Sequence, residues 1–579
     1  MYTSQRTISV SGGTRGRAHS LRIFLVVAAA LILARLVQVQ IIEHGSWSQA
    51  AAAVQEREIE MSPRRGAIYD RNGTLLAFDV KAMAIAVDSY NMTRPLELTK
   101  ILSEELKMSA AAVTKLIYRS SYFTWIERQA DLETAKRIEE RAAKAGAYGL
   151  IFLDAWKRLY PQGSLASNVI GFVGSDGGGL EGLELEYDEA LRGVPTIVHV
   201  VQGADGRTYQ SRVVEEGKPG QDLHLTLDAG LQLLCEEAVS ACALRYTVLN
   251  GMMIVLDPKT GAVLAMAQDK TYDLNKFWNS TVTQRQNVAV THIFEPGSSF
   301  KAVAGLSAVE AGVVGPDTLL QGKDGIKVGG HTIHNAGNLS YGTATNGKVT
   351  FREVIEQSIN TGIVDATEEL GKERLHRTMT LLGFGAATGI DLPGEAKGIL
   401  RPVEQWTEVD RATASFGQSV GVTGIQLARG FSVIANGGFL VTPHLLQPTE
   451  TKNSRRRDVA PPQRIVAETA CATMRDIMTG VVERGSGKSA LIPGLKLAGK
   501  TGTAQKAVAG QGYVDGKYTV VFGCLVPADA PELVFIVVFD EPKRPDGGQV
   551  GGGSVAAPVF HDVMVEWMDT GNFVPPSER

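Results

Sequence analysis

Cysteine is scarce in this chain, with four residues in 579, at Cys235, Cys242, Cys471 and Cys524. Cys235 and Cys242 stand seven apart on a predicted helix, about 10 Å by helical rise, which is beyond the reach of a disulfide. No C-x-x-C pair and no H-E-x-x-H string occurs, so no metal is indicated and the reading asks for no cofactor. Charge of one sign is also missing: the net charge is -4 and no basic stripe stands out, which argues against a nucleic-acid partner. Beyond residue 42 there is no apolar run long enough to span a bilayer. What is present is a globular composition, 44% apolar and 21% charged, in a chain long enough for two or three domains.

The N-terminus carries the one long apolar run. Residues 1–22 contain Arg6, Arg15, Arg17 and Arg22 with no acid. Ile23 to Ile42 is then almost wholly apolar, broken by Arg35, Gln38 and Gln40. About 20 residues suffice to cross a membrane, and polar residues near one end can snorkel. Basic residues before the span and Glu43, Glu56, Glu58 and Glu60 after it place the N-terminus in the cytoplasm. Ala50–Ala53 supplies the small residues of a signal cleavage site, but the apolar stretch is long for a signal core. The reading is therefore a cytoplasmic tail (1–22), a transmembrane anchor (23–42) and everything later outside the cytoplasm, in a periplasm or at a cell surface.

Residues 43–225 read as a mixed domain. Asn72-Gly73 between apolar stretches is a hairpin signal, residues 98–147 read as amphipathic helices, with Thr134–Ala145 the clearest by spacing, and Lys218-Pro219-Gly220 is a boundary turn. Leu223–Leu227 is strand-like, and Asp228 is suited to cap a helix running to about Tyr246. From there Met252–Leu256 and Val263–Ala267 form a predicted hairpin about Asp257-Pro258-Lys259-Thr260-Gly261. A mainly helical stretch runs from about 299 to 436. Lys496–Thr503, Thr519–Val526 and Leu533–Phe539 then read as strands, and 556–568 as a closing helix. Strands at both ends of a helical middle predict an antiparallel sheet packed with helices over 226–579.

Three strings in this second region carry chemistry, in a fixed order. Ser298-Ser299-Phe300-Lys301 is S-x-x-K, Ser358-Ile359-Asn360 is S-x-N, and Lys500-Thr501-Gly502 is K-T-G. Acyl transfer through a serine ester needs a nucleophile with a base, a proton for the leaving amine, and a cation with hydroxyls for a substrate carboxylate. Ser298 opens a predicted helix, where free backbone N–H groups favour a developing anion, and Lys301 shares its face. Alone, the string fits a helix-capping serine equally well. Ser89-Tyr90-Asn91 and Lys259-Thr260-Gly261 repeat the second and third patterns, but both precede Ser298 and read as structural.

Two other strings compete. Residues 494–501 satisfy G-x-x-x-x-G-K-[ST], and Leu533–Phe539 followed by Asp540-Glu541 imitates a magnesium-binding strand. A phosphate loop needs a helix directly after its lysine, whereas Thr-Gly-Thr-Ala-Gln and the Gly-punctuated Ala507–Lys517 lead into another strand. Gly417-Gln418-Ser419-Val420-Gly421 matches G-x-S-x-G, but Ala412–Phe416 is not strand-like, and only His444 and His561 follow as candidate bases. It reads as a loop lining a site.

With the three motifs in order behind a single anchor, the chain resembles the class B penicillin-binding proteins, bimodular cell-wall transpeptidases. Leu33-Ala34-Arg35-Leu36 resembles the family's anchor. Arg65-Gly66, Asp70-Arg71-Asn72-Gly73, Arg158-Leu159-Tyr160-Pro161 and Gly182-Leu183-Glu184 with Tyr187 resemble the motifs of its non-catalytic module. Phe294-Glu295-Pro296-Gly297-Ser298, Gly417-Gln418, Ala435-Asn436-Gly437-Gly438 and Ala556-Ala557-Pro558-Val559-Phe560 resemble its transpeptidase domain. Glu295-Pro296-Gly297-Ser298 and the modest length lean to the septal, cell-division type over the elongation type. No extra repeats follow the transpeptidase region, so sporulation variants with such tails fit less well. Gln268-Asp269-Lys270 departs from a segment where relatives often carry small residues and proline.

The resemblance implies an α+β fold: a transmembrane helix, a mixed α/β pedestal of the dimerisation type over 43–225, and a transpeptidase domain over 226–579. That domain has a central antiparallel sheet flanked by helices, like a serine β-lactamase. It further implies Ser298 as the nucleophile toward a stem peptide ending in D-Ala-D-Ala, with Lys301 as base and Lys500 as the neighbouring cation. Ser358 would relay a proton to the departing D-Ala, and Asn360 would hold the substrate amide and could also hold Lys301. Lys500, Thr501, Gly502 and Thr503 would bind the terminal carboxylate, with the backbone N–H groups of Ser298 and Thr503 as oxyanion hole. The implied partners are donor and amine-acceptor stem peptides, β-lactam antibiotics, a polytopic glycosyltransferase with other division proteins, and the membrane. An anchored penicillin sensor, a scaffold without turnover, or a carboxypeptidase shares the same first step.

Overall fold

The computed structural model describes residues 12–47, 56–119, 123–202, 208–448, 461–508 and 512–575. Arg6 and the 50–53 stretch lie outside these residues, as do the side chains of Arg15, Glu56 and Glu58. The chain divides into two compact units that cut across the sequence: one combines 1–62, 84–154 and 194–218, the other 63–83, 155–193 and 219–579.

In the first unit a helix spans Gly12–Val37 and continues as a wide turn, Gln38–Ile42. Residues 16–42 are long and apolar enough to cross a membrane, and Phe24, Val26 and Leu31 are exposed, as lipid-facing side chains are. Helices Pro95–Leu106, Ala110–Ile117 and Leu132–Ala145 follow the predicted amphipathic pattern. Strand Thr124–Asp131 interrupts them where only helix is predicted. Its burial alternates, as a half-buried strand requires. A three-stranded sheet joins Glu56–Met61, Thr196–Gln202 and Thr208–Glu215.

The second unit is built on a five-stranded antiparallel sheet. We label its elements α1 (Ala229–Tyr246), β1 (Asn250–Leu256), β2 (Val263–Gln268), α2 (Lys301–Glu310), α3 (Asn360–Leu370), α4 (Gly424–Ala435), α5 (Glu468–Glu483), β3 (Ala498–Val508), β4 (Gly512–Val526), β5 (Leu533–Asp540) and α6 (Ala557–Asp569). The strand order is β2-β1-β5-β4-β3. Asp228 caps α1 as expected, its carboxylate accepting from the N–H groups of Gly230 and Leu231.

Strand alternation divides the core into two faces. Met252, Ile254, Val534, Ile536 and Val538 pack into the core shared with α2 to α5, while Met253, Val255, Phe535, Val537 and Phe539 meet α1 and α6. All four cysteines are buried and free.

Residues 63–83 and 155–193 belong to this same unit and are tied to each other by a buried ion-pair network. Glu184, fully buried, accepts from Arg65 Nε at 2.6 Å and from Arg158 Nε at 2.7 Å. Asp79 accepts from the Arg65 N–H at 2.7 Å and from Arg158 Nη1 at 3.2 Å. Charges so far from water persist only when paired in this way. Tyr187 donates to Asp391 at 2.9 Å, and Asp391 in turn accepts the N–H groups of Leu445 and Leu446.

Candidate active site

The nucleophile candidate sits on a single tight turn. Gly297–Phe300 forms one 3-10 turn that runs directly into α2, so Ser298 lies at the helix entrance. The Ser299 hydroxyl closes the turn on the Pro296 carbonyl at 2.7 Å. This turn abuts the edge strand β3 with glycine on both sides. A Cβ on Gly502 would lie 2.6 Å from the Pro296 oxygen, and one on Gly297 would lie 3.0 Å from Thr503 C. Gly297 also has φ +54°, a conformation only glycine adopts without strain.

Lys301 follows one helical turn after Ser298 and is fully buried. Its Nζ contacts Ser298 Oγ at 3.1 Å, Asn360 Oδ1 at 2.7 Å, Ser358 Oγ at 3.2 Å and the Ser358 carbonyl at 2.5 Å. Ser358 can turn both its hydroxyl and its carbonyl to one ammonium because it adopts φ +61°. That region is costly for a residue with a side chain and recurs at functional sites. Lys500, also fully buried, donates from the other side to Ser358 Oγ at 2.9 Å.

The electrostatics follow from this packing. Burial, and then the Lys500 charge, hold the Lys301 ammonium well below its usual range, and burial pulls Lys500 down to about 7. A buried amine loses hydration of its charged form, so the neutral amine, which can accept a proton, becomes available near neutral pH. Ser298, Lys301, Ser358, Asn360 and Lys500 thus form one connected cluster. Thr501 Oγ1 is bonded to Ser486 Oγ at 2.7 Å, and Thr503 Oγ1 accepts from the Gly552 N–H at 3.2 Å. Among the described residues no group of His, Cys, Asp or Glu is arranged to hold a metal ion.

The competing strings are placed elsewhere. Lys500 lies in mid-strand, paired with Gly523 of β4, so no helix N-terminus follows it and no phosphate cradle forms. Ser419, at φ +60°, donates its N–H to Glu295 Oε1 at 2.8 Å, and its hydroxyl meets Thr413 Oγ1. Its loop packs on the nucleophile turn, where Gly297 donates its N–H to the Gly417 carbonyl at 3.1 Å. Lys259-Thr260-Gly261 is the expected hairpin turn, and Ser89 bonds the Ile117 carbonyl.

Around the cluster stand Glu295, from the motif before the nucleophile, and His334 and Asn335, which belong to none. Glu295, raised by burial, accepts from Tyr513 at 3.2 Å. The Asn360 amide nitrogen donates to the His334 carbonyl at 2.8 Å, and Asn335 accepts from the Thr361 N–H at 3.0 Å. Strands Ile326–Val328 and His331–Ile333 pair about Gly329-Gly330 just before His334 and Asn335, and that Gly-Gly turn is a local signal in the sequence for the hairpin that leads to them.

Comparison with known proteins gives this arrangement its relatives. Residues 251–565 match the penicillin binding protein transpeptidase domain, and residues 60–225 the penicillin-binding protein dimerisation domain. Similar sequences include stage V sporulation protein D of Bacillus subtilis, 32% identical over 94% of this chain and 84% of the relative. Penicillin-binding protein PbpB of Mycobacterium tuberculosis is 32% identical over 98% and 87% of the two chains. Peptidoglycan D,D-transpeptidase FtsI of Escherichia coli is 28% identical over 95% and 91%. Among solved structures, the M. tuberculosis penicillin-binding protein 3 complexed with ampicillin superposes with TM-score 0.68 at 30% identity, covering 90% of this chain and 98% of that one. Two domain matches in sequence order, together covering most of the chain behind an apolar N-terminal helix, establish that it belongs to the class B penicillin-binding proteins.

Proposed function

We propose that this protein is a peptidoglycan D,D-transpeptidase of septal wall synthesis, acting through an acyl-enzyme on Ser298. The observation that carries the reading is the four-way contact of Lys301 Nζ with Ser298, Ser358 and Asn360 in a buried pocket. An amine so placed and so desolvated takes the Ser298 hydroxyl proton as Oγ attacks the penultimate D-Ala carbonyl. The backbone N–H groups of Ser298 and Thr503 receive the oxyanion, a contribution worth roughly a hundred- to a thousand-fold per donor. The C–N bond then breaks, and Ser358, between the two lysines, passes a proton to the departing D-Ala. A stem-peptide amine attacks the ester, its proton returns through the same relay, and the cross-link leaves with Ser298 restored. Lys500, Thr501, Gly502 and Thr503 hold the donor carboxylate. β-Lactams follow the first step and stop there.

Residues 43–225 serve as the pedestal and 226–579 as the catalytic domain, on an anchor with its N-terminus in the cytoplasm. The pedestal meets a polytopic glycosyltransferase and other division proteins. FtsI and PbpB are similar along nearly their whole length, which favours the division role, although a sporulation protein is similar too.

The test is intact-protein mass spectrometry of the full chain in detergent after exposure to benzylpenicillin, beside Ser298→Ala. An adduct on Ser298 that is lost in the variant and persists for many minutes is expected. No adduct, or one that survives Ser298→Ala, refutes the site. Paired donor and acceptor stem peptides then separate the outcomes: cross-linked product marks a transpeptidase, hydrolysis alone a carboxypeptidase, and neither a sensor or scaffold. Filamentous cells on depletion mark the septal role, and swollen cells without filaments refute it.

A further inference from the structure

Helix α3 begins with the asparagine of S-x-N, yet its own N-cap is Ile359, which offers no side-chain hydrogen bond. The first N–H groups of a helix need partners from somewhere. Here one arrives from 26 positions upstream. Asn335, 4% exposed, accepts through Oδ1 from the Thr361 N–H at 3.0 Å and from Thr361 Oγ1 at 3.2 Å. Its Nδ2 donates to the Leu339 carbonyl at 2.9 Å.

Asp324 fixes this turn with both oxygens, accepting from the Asn335 N–H at 2.6 Å and standing 2.7 Å from His334 Nδ1. Between these two anchors lies the His334 carbonyl, which accepts from Asn360 Nδ2 at 2.8 Å. A carboxamide has one donating and one accepting end. With its nitrogen engaged by His334, Asn360 must present its oxygen to Lys301. The flipped amide would set carbonyl against carbonyl on one side and donor against donor on the other.

We propose that Asn335 is a positioning residue for acylation: as a remote cap of α3, it aims the Asn360 carboxamide at Lys301. The proposal rests on the acyl-enzyme reading above. Lys500 is the charged group that Lys301 feels, and its other bonded partners, Ser298, Ser358 and Asn360, are neutral.

The experiment measures the second-order rate of acylation by a fluorescent penicillin, across pH, for the full chain in detergent. The variants are Asn335→Ala, Asn335→Asp, Asn360→Ala and the double Asn335→Ala/Asn360→Ala, each with its thermal midpoint. Asn335→Ala is expected to slow acylation by roughly ten- to a hundred-fold, the loss of one buried hydrogen-bonded group. Asn335→Asp keeps the one oxygen that accepts both Thr361 donors, at a helix N-terminus that favours negative charge, but gives up the donor to the Leu339 carbonyl, so it is expected to lose less rate than Asn335→Ala.

Because Asn335 acts through Asn360, the double variant is no slower than Asn360→Ala. The ascending limb of the pH profile also moves to lower pH in both single alanine variants, since the ammonium of Lys301 loses the acceptor that favours it. Additive losses, or a lowered thermal midpoint with a native rate and pH profile, overturn the proposal. An Asn360→Ala protein that acylates at the native rate overturns the site reading instead. Should Asn335→Ala not fold, Asn335→Ser takes its place in the cycle and the same outcomes decide.

Discussion

Replacing Lys500 by methionine removes a buried cation while keeping most of its length, and tests whether its charge keeps Lys301 neutral and so free to accept a proton. Both Nζ atoms lie close to one oxygen, Lys500 at 2.9 Å and Lys301 at 3.2 Å from Ser358 Oγ, so they are no more than about 6 Å apart. Two unit charges at that separation repel by about 2.8 kcal/mol at an effective dielectric near 20. That repulsion disfavours the Lys301 ammonium, and its removal favours the charged form. The sign is definite: a lowered lysine is neutral above its folded pKa and is charged, hence useless as a base, as pH falls through it. Acylation therefore rises with pH along the Lys301 titration, and Lys500→Met moves this ascending limb to higher pH. In the native protein the second-order constant falls again on the alkaline side as Lys500, near 7, loses its charge; the variant lacks this descending limb. Lys500→Arg retains the cation and should leave the ascending limb in place, even where misplaced donors lower the plateau. Penicillin acylation rates from pH 5 to 10 supply the measurement. An ascending limb that stays put or moves down in Lys500→Met would refute the electrostatic role and leave burial as the only cause.

Two further outcomes follow from packing. Glu184→Gln leaves the Arg65 and Arg158 guanidiniums buried with one carboxylate fewer between them, and should cost about 3–5 kcal/mol in urea unfolding; a loss under about 1 kcal/mol contradicts the network's importance. Gly502→Ala forces a methyl to 2.6 Å from the Pro296 oxygen, and should cost roughly 1–3 kcal/mol while slowing acylation by displacing the Ser298 turn. Native acylation in that variant means that the turn and β3 are not held in register by this contact.

Local signals carried much of the fold. Asp228 announced α1 because a capping carboxylate acts over three residues, and the hairpin at Asp257–Gly261 was written in its own turn chemistry. Strand ends were harder to read. Gly512 and Gly516 suggested a loop over 507–517, but β3 continues to Val508 and β4 starts at Gly512 because each strand supplies the other's hydrogen bonds, which overrides weak propensity. Strand Thr124–Asp131 was hidden for a related reason: flanked by helices, its alternating burial becomes legible only against a partner strand.

The site divides along the same line. Ser298 and Lys301 were readable together because three residues of helix set their spacing, and Lys500 because its neighbours fit no helix and therefore no phosphate loop. What aims these groups was not readable. Ser358 in a left-handed conformation, Gly502 yielding room to a turn two hundred residues upstream, and Asn335 capping a helix that cannot cap itself are all consequences of long-range contact. A motif reports which functional groups a chain brings to a reaction. Their orientation is set by residues selected for what they touch, and an asparagine at a turn carries no mark of that until the helix it caps is folded beside it. Hence the sharper test of the chemistry is a change at Asn335, which no motif contains, because it perturbs aim while leaving every reacting group in place.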